Sequence, residues 1–462
     1  MKVTFSHLGL INSASIGLGK LTVICGRNNT GKTYLAHSIF GLLNYMRSQY
    51  VCDVAKSDID KLIKDKYLEI PIVLDAKHLT KHLEMCANAF SKTLPDVLSA
   101  SSERLQNARV SIEISDNDFN NVLVMHQSGG RIGPATILRS VWKRNDGKLI
   151  FTIEDVHGEA ASEPFDQETI REFIKMRIVD SVRTVLFDSI VPKTFISSSE
   201  RTGALMFQRE LDSSLSMMNG LRSFRHHLQF GRLVSRGNIY SSSYPLAVRQ
   251  DVDRMRSLPV IMRGVSSLSR KHPELMAMFA QIVGGEYAID KNGGLHFVIA
   301  RGKRKIKLDM SECSSTIKSL VGLGFYLQYQ AAKNDLFIID EPEMNLHPAN
   351  QRLLARLFVR MINCGIKVMI TTHSDYIMKE LNTMITLNQK VRRIGKIVKS
   401  EGLNKKDLLS CDDIKVFTVK PNDAEDSVEE IHVSSEEGAV IPVFDEVIDD
   451  MNRLQDDIIY GE

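Results

Sequence analysis

The opening residues, Val3 to Leu8, alternate apolar and polar positions as a half-buried strand does. A second run, Leu21 to Cys25, is continuously apolar and stops at a glycine, the pattern of a buried strand meeting a loop. Beyond Thr33, apolar residues recur at Leu35, Ile39, Leu42, Leu43 and Met46, a spacing that predicts a helix to about residue 50. A polar helical stretch to about residue 107 follows. Short strands are expected at Val110 to Ile114, Thr136 to Val141 and Leu149 to Ile153, around turn signals at 128–130 and 145–147. After a further helical segment, Val185 to Ile196 reads as a strand. Residues 204–283 read as mostly helical. A Gly-Gly start at 284, a hairpin through 291–294 and a basic strand Arg301 to Lys307 lead into a helix at about 314–332. Two apolar strands, Leu336 to Ile339 and Lys367 to Thr371, flank an amphipathic helix at about 349–363; that order implies a parallel sheet covered by helices.

The chain has 462 residues, 43% of them apolar and 25% charged, which suits two or three globular units and excludes a fibrous or wholly disordered chain. No apolar run reaches bilayer length and the start lacks a signal peptide's apolar block, so a cytoplasmic protein with no membrane partner is expected. Six cysteines stand singly, without C-x-x-C or zinc-type spacing, and are expected to be reduced and packed. The net charge is only +3, but it is uneven. Arginines crowd residues 204–272, suited to DNA phosphates or an acidic partner, with pairing to the protein's own acids as the blander alternative. After Lys420 the only Lys or Arg is Arg453, which makes 401–462 read as an acidic C-terminal extension.

Gly26-Arg27-Asn28-Asn29-Thr30-Gly31-Lys32-Thr33 fits G-x-x-x-x-G-K-[ST] in full. Glycines let the backbone curl so that successive N–H groups face phosphate oxygens, and the following helix adds its positive end. Lys32 is placed to reach the β- and γ-phosphates of ATP, and the Thr33 hydroxyl to sit on Mg2+. A second chemical cluster lies far away in sequence. Asp340 and Glu341 follow four apolar residues, at a strand's carboxyl end where ligands gather in open α/β sheets. Asp340 suits orientation of the magnesium, and Glu341 suits polarising an attacking water. His373, at the end of the next strand, is suited to the γ-phosphate or that water; a plain surface histidine is the alternative.

Together GRNNTGKT, FIIDEPEMNLHP and ITTHSDYI resemble the ABC-type ATPase heads of the RecF, structural-maintenance-of-chromosomes and OLD groups. The resemblance implies an α/β fold: a mixed sheet with a P-loop core, an antiparallel β lobe and a helical insertion. It divides the chain into 1–203 (first part of the head), 204–283 (basic helical insertion), 284–400 (second part of the head) and 401–462 (acidic extension). It also implies ATP sandwiched between two heads of a homodimer, with Ser314 and Ser315 of a signature segment reaching the partner's γ-phosphate. Thr316 stands where that signature has a glycine, and a plain serine helix cap is the other reading.

More narrowly, GRNNTGKTYLA, ISSSERTG (196–203), YPLAVRQDVDRMR (244–256) and VFDEVIDDMN (443–452) look like the stand-alone ATPases of bacterial anti-phage systems such as Septu, PARIS and retron-associated modules. That likeness implies a sensor or scaffold subunit controlling a separately encoded effector, a nuclease. The chain stops too soon after His373 for the TOPRIM domain of OLD nucleases, and it shows no H-N-H pattern, so no nuclease centre of its own is expected. A RecF-like or SMC-like repair ATPase that loads onto DNA is the alternative function.

Overall fold

The computed structural model describes residues 1–48, 53–72, 76–114, 125–133, 136–143, 145–155, 167–188, 190–207, 244–262, 264–290, 294–302, 304–420 and 426–460. Strands are numbered in chain order. Two compact units emerge: one of Met1–Val3, Leu42–Lys92 and Arg109–Lys193, the other of Thr4–Gly41, Thr93–Ala108 and Thr194–Glu462.

The larger unit is built on a mixed sheet. Its strands are β1 (Lys2–Leu8), β2 (Ile11–Gly17), β3 (Leu21–Cys25), β9 (Thr194–Ser197), β13 (Leu336–Asp340), β14 (Lys367–Thr372), β15 (Ile414–Lys420) and β16 (Asp426–Ile431), in the spatial order β1-β2-β16-β15-β3-β14-β13-β9. From β15 to β9 every neighbouring pair is parallel, whereas β16 runs antiparallel to β15. All five residues of β3 and of β13 are buried. Continuous burial is what a strand covered on both faces requires, and it explains apolar runs without alternation. The helix Pro348–Asn363 connects β13 to β14 and buries Leu354, Leu357, Phe358 and Met361, at helical spacing. The parallel order expected from strand, helix and strand is therefore what the chain adopts.

A three-stranded antiparallel sheet of β10 (Glu286–Ile289), β11 (Leu295–Arg301) and β12 (Arg304–Asp309) packs Tyr287 and Phe297 into the same core. The pair β17 (Val433–Ser434) and β18 (Gly438–Ala439) completes the unit's strands. In the smaller unit, β4 (Tyr67–Pro71), β6 (Met125–Gly133), β7 (Thr136–Lys143) and β8 (Lys148–Asp155) form an antiparallel sheet in the order β4-β8-β7-β6. The helix Ala76–Ser91 packs on β5 (Arg109–Glu113).

Several expectations change. The turn signal at 128–130 lies inside β6, and the expected basic strand 301–307 is split by a turn at Gly302, so that Arg301 ends β11 and residues 304–307 belong to β12. Residues 185–187 end the helix Gln167–Phe187, and only Thr194–Ser197 is strand. Their apolar run continues the helical spacing of the buried Ile174, Ile178 and Val182, and Pro192 stands in the break. Tyr67–Pro71 is a strand inside a stretch that reads as helical. Residues 414–420, within the expected acidic extension, lie beside β3 at the centre of the sheet. The periodicity IKVFTVK buries Ile414 and Val416 to Val419, and the acids that dominate this region's composition lie outside the strand.

Residues 208–243 and 263 of the expected basic insertion, with Arg209, Arg222, Arg225, Arg232, Arg236 and Arg263, fall outside the described residues. Of its arginines within them, Arg254 is buried against Asp251 and Arg256 pairs with Asp253, while Arg249 and Arg270 donate to the carbonyls of Asp96 and Val265. The hairpin tip at 291–293 also lies outside the described residues, as does Cys52; the other five cysteines are free. No helix among the described residues is long and apolar enough to cross a membrane.

Candidate functional site

The site is assembled where β3, β13 and β14 end. β3 leads into a loop whose backbone takes positive φ at Gly26 (148°), Asn29 (63°) and Gly31 (84°). Such angles favour glycine, and a side chain at Gly31 would also meet Ile11 Cδ1 at 2.8 Å. Arg27, Asn28 and Asn29 are exposed at the loop's outer curve, while Thr30 is buried and its hydroxyl donates to the Arg27 carbonyl at 2.9 Å. The helix Lys32–Ser48 begins within the motif.

Lys32 is only 4% exposed, and its Nζ donates to the carbonyls of Gly26 at 3.0 Å and Arg27 at 2.6 Å. Burial pushes this ammonium below the ordinary lysine range, and the carboxylates of Glu341, Asp340 and Glu343 pull it back. The three acids thus act on the lysine across the gap between the two motifs.

Asp340 is fully buried at the end of β13. Its Oδ2 accepts the Thr33 hydroxyl at 2.9 Å, and its Oδ1 accepts the Thr371 hydroxyl from β14. His37, one helical turn beyond Thr33, brings Nε2 to 3.9 Å from the same Oδ2; that nitrogen is buried without a hydrogen-bond partner. Glu341 turns the chain with φ 47°, in the left-handed region, and its N–H donates to both the carbonyl and the hydroxyl of Thr371 at 3.1 Å. His373 Nδ1 lies 3.6 Å from Glu341 Oε1 and 3.3 Å from Glu343 Oε1.

Glu343 is the hub at that corner. Its Oε1 accepts the Thr372 hydroxyl and the His373 N–H, both at 2.7 Å, while Oε2 is buried and unpartnered. Burial raises this carboxyl above the ordinary glutamate range, against those hydrogen bonds and the neighbouring His373.

Arg201, 6% exposed, holds the backbone under the two acids. Its guanidinium donates to the carbonyls of Asp340 at 2.7 Å, Glu341 at 2.9 Å, Ser198 at 2.8 Å and Ser319 at 2.9 Å. The planar fork of arginine suits this; lysine's single ammonium could not span four carbonyls. Asp251, buried, accepts the Ser198 N–H at 2.8 Å and pairs with Arg254 at 3.2 Å.

The structure therefore brings Lys32, Thr33, Asp340, Glu341 and His373 to one end of one sheet. Ser314 and Ser315 sit exposed at the head of the short helix Ser315–Ser319, where Ser314 Oγ caps the Ile317 N–H at 3.5 Å. Ser319, at the other end of that helix, is the residue Arg201 ties to the acids. His37, Arg201 and Glu343 join these residues without a motif role in the sequence. The spacing of Thr33 and His37 does place them on one helical face; the roles of Arg201 and Glu343 depend on burial, which the sequence does not display.

A phosphate loop on a parallel strand, with a threonine hydroxyl on a buried aspartate two strands away, has the construction of a P-loop ATPase domain. Residues 267–378 match the AAA ATPase domain family, a segment that includes Ser314, Ser315, Asp340, Glu341 and His373. No curated protein matches the chain. Among solved structures it is similar to an Smc head bound to the C-winged helix domain of ScpA, with 13% identity over 94% of this chain and 97% of that one and a TM-score of 0.37. An Smc head domain with an extended coiled coil, bound to the C-terminal domain of ScpA derived from Pyrococcus furiosus, is similar at 12% identity over 98% of each chain, with a TM-score of 0.35. The SMC head domain from Thermotoga maritima gives 11% identity over 94% of this chain and 98% of that one, with a TM-score of 0.32.

Proposed function

We propose that this chain is an ABC-type ATPase that binds ATP with Mg2+ in the loop Gly26–Thr33 and hydrolyses it with Glu341 as the general base. The observation that carries the reading is the hydrogen bond from Thr33 to Asp340, which joins the two motifs at one point. The fit of the ligand is supported by the donor set. A buried ammonium satisfied only by loop carbonyls, a hydroxyl and a carboxylate side by side, and an unpartnered His37 Nε2 suit a triphosphate and a hard divalent cation.

Lys32 exchanges the Gly26 and Arg27 carbonyls for phosphate oxygens. Thr33 and Asp340 would hold the cation, which would supply neutralisation of the negative charge on the phosphates. Glu341, fixed at its N–H by Thr371 and at its carbonyl by Arg201, takes the proton of the attacking water. His373, held by Glu343, orients that water or the γ-phosphate. Ser314 and Ser315, exposed at a helix start, meet the nucleotide of a second head, so that ATP closes a homodimer.

The narrower role rests on the resemblance of GRNNTGKTYLA, ISSSERTG, YPLAVRQDVDRMR and VFDEVIDDMN to stand-alone defence ATPases. On that ground the protein is the cytoplasmic sensor or scaffold of an anti-phage system, and its ATP state governs a separately encoded effector, a nuclease. The biochemical part is tested by phosphate release from wild type and Glu341→Gln. Turnover should fall roughly 10²–10⁴-fold while ATP binding and an ATP-held dimer persist. Wild type without phosphate release above background would refute hydrolysis. The defence part is tested by phage plating on cells carrying the native gene neighbourhood with wild-type or Lys32→Ala protein; equal plaquing on both removes it.

A further inference from the structure

Two helices of the larger unit expose apolar residues and carry opposite charge. The helix Arg392–Ser400 buries no residue, although Ile394, Ile397 and Val398 form one face. Lys390, Arg392, Arg393, Lys396 and Lys399 give the segment 390–400 five cations and no acid. The helix Pro442–Tyr460 has the reverse composition, six acids against the single Arg453. Met451, Leu454 and Ile458, at i, i+3 and i+7, form a stripe with exposures of 60%, 61% and 73%, and Ile459 beside it is 66% exposed. Asp450 and Asp457 border that stripe on one side.

We propose that these helices are the two halves of one interface, the acidic helix of one copy docking on the basic helix of a second copy. A contiguous apolar stripe this exposed marks a contact surface. Charge selects the occupant. Two acidic helices would set like charges against each other, as would two basic ones, whereas basic against acidic sets opposite charges together and covers both apolar faces. A two-fold axis makes the exchange reciprocal, so each pair of copies forms the contact twice. The interface is separate from the nucleotide site and requires no ATP.

The test uses the full chain carrying Lys32→Ala, without nucleotide, so that an ATP-held dimer does not contribute. Sedimentation at 50 mM salt should show a dimer whose dissociation constant rises at least tenfold at 500 mM, since screening shortens the reach of these charges. Lys396→Glu with Lys399→Glu should abolish it, as should Asp450→Lys with Asp457→Lys. Mixing the two double variants should restore a dimer of one copy of each, because each then offers the charge the other lacks. Unchanged circular dichroism guards against misfolding. The proposal is overturned if the Lys32→Ala chain is a monomer at low salt, if either reversal leaves the dimer intact, or if the mixture stays monomeric. It is likewise overturned if the helix 392–400 reversal abolishes binding to duplex DNA or anionic vesicles and leaves self-association untouched.

Discussion

The hydroxyl of Thr33 donates to the carboxylate of Asp340 at 2.9 Å, across 307 residues of sequence. Thr33 opens a helix and Asp340 closes a strand, so the bond fixes the phosphate loop against the sheet at the point where a divalent cation has its proposed ligands. Thr33→Ala and Asp340→Asn should each lower ATP turnover by roughly a hundredfold or more, the range for removing one electrostatic stabiliser of a transition state. Phosphate release at saturating ATP and Mg2+ measures it; Thr33→Ser should retain most activity.

Arg201 is expected to matter as much for stability as for catalysis. Replacing it with alanine takes the guanidinium from the carbonyls of Asp340, Glu341 and Ser319, at a cost of about 3–5 kcal/mol, while the Ser198 carbonyl keeps the backbone N–H of residue 201. Chemical denaturation should show a lower midpoint with an unchanged slope, and Arg201→Lys should recover only part of the loss.

Glu343→Gln keeps an acceptor for the Thr372 hydroxyl and the His373 N–H, whereas Glu343→Ala leaves both unmet. Turnover should therefore fall further in the alanine variant than in the glutamine one. His373→Ala in the Glu343→Ala background should add little, because the two act through one corner.

The pair of Glu274 and Lys406, 2.7 Å apart, carries a pH signature. The Lys406 ammonium takes the Glu274 carboxyl from 4.5 down to about 2. A depressed carboxylate stabilises the fold above its unfolded value, so this contribution is complete above about pH 4.5 and lost as pH falls toward about 2. Both groups are largely solvated, which keeps the effect small. Lys406→Met should be slightly less stable than wild type at pH 7, and the gap should close in acid denaturation titrations.

Phe417 is fully buried in β15, beside β3. Phe417→Ala should cost about 3–5 kcal/mol, as large-to-small core changes do. A segment that merely hung from the domain would tolerate it, so thermal unfolding decides whether 414–420 belongs to the core.

Much of this arrangement is legible in the residues. Leu21 to Cys25 and Leu336 to Ile339 are apolar throughout because both faces of their strands are covered, and each ends at the residue that begins the chemistry. Glycines at 26 and 31 announce the loop. What the sequence hides falls into two kinds. Ile414–Lys420 sits in acidic surroundings, and composition outweighs a short burial pattern until its pairing with β3 is seen. Arg201 and Glu343 read as surface charges, because a charged side chain gives no local sign that it is buried against backbone groups. His37 differs from both, since its distance from Thr33 is one helical turn and could have been drawn directly.

β3 is an early strand with late neighbours. Its partners β14 and β15 begin at residues 367 and 414, so during synthesis the strand that feeds the phosphate loop waits, both edges bare, for most of the polypeptide to emerge. Pairings this distant close slowly, because loop entropy is lost before any contact rewards it. The nascent chain thus makes its nucleotide pocket last, and cells that lack enough chaperone to shield those edges should accumulate the protein as aggregate.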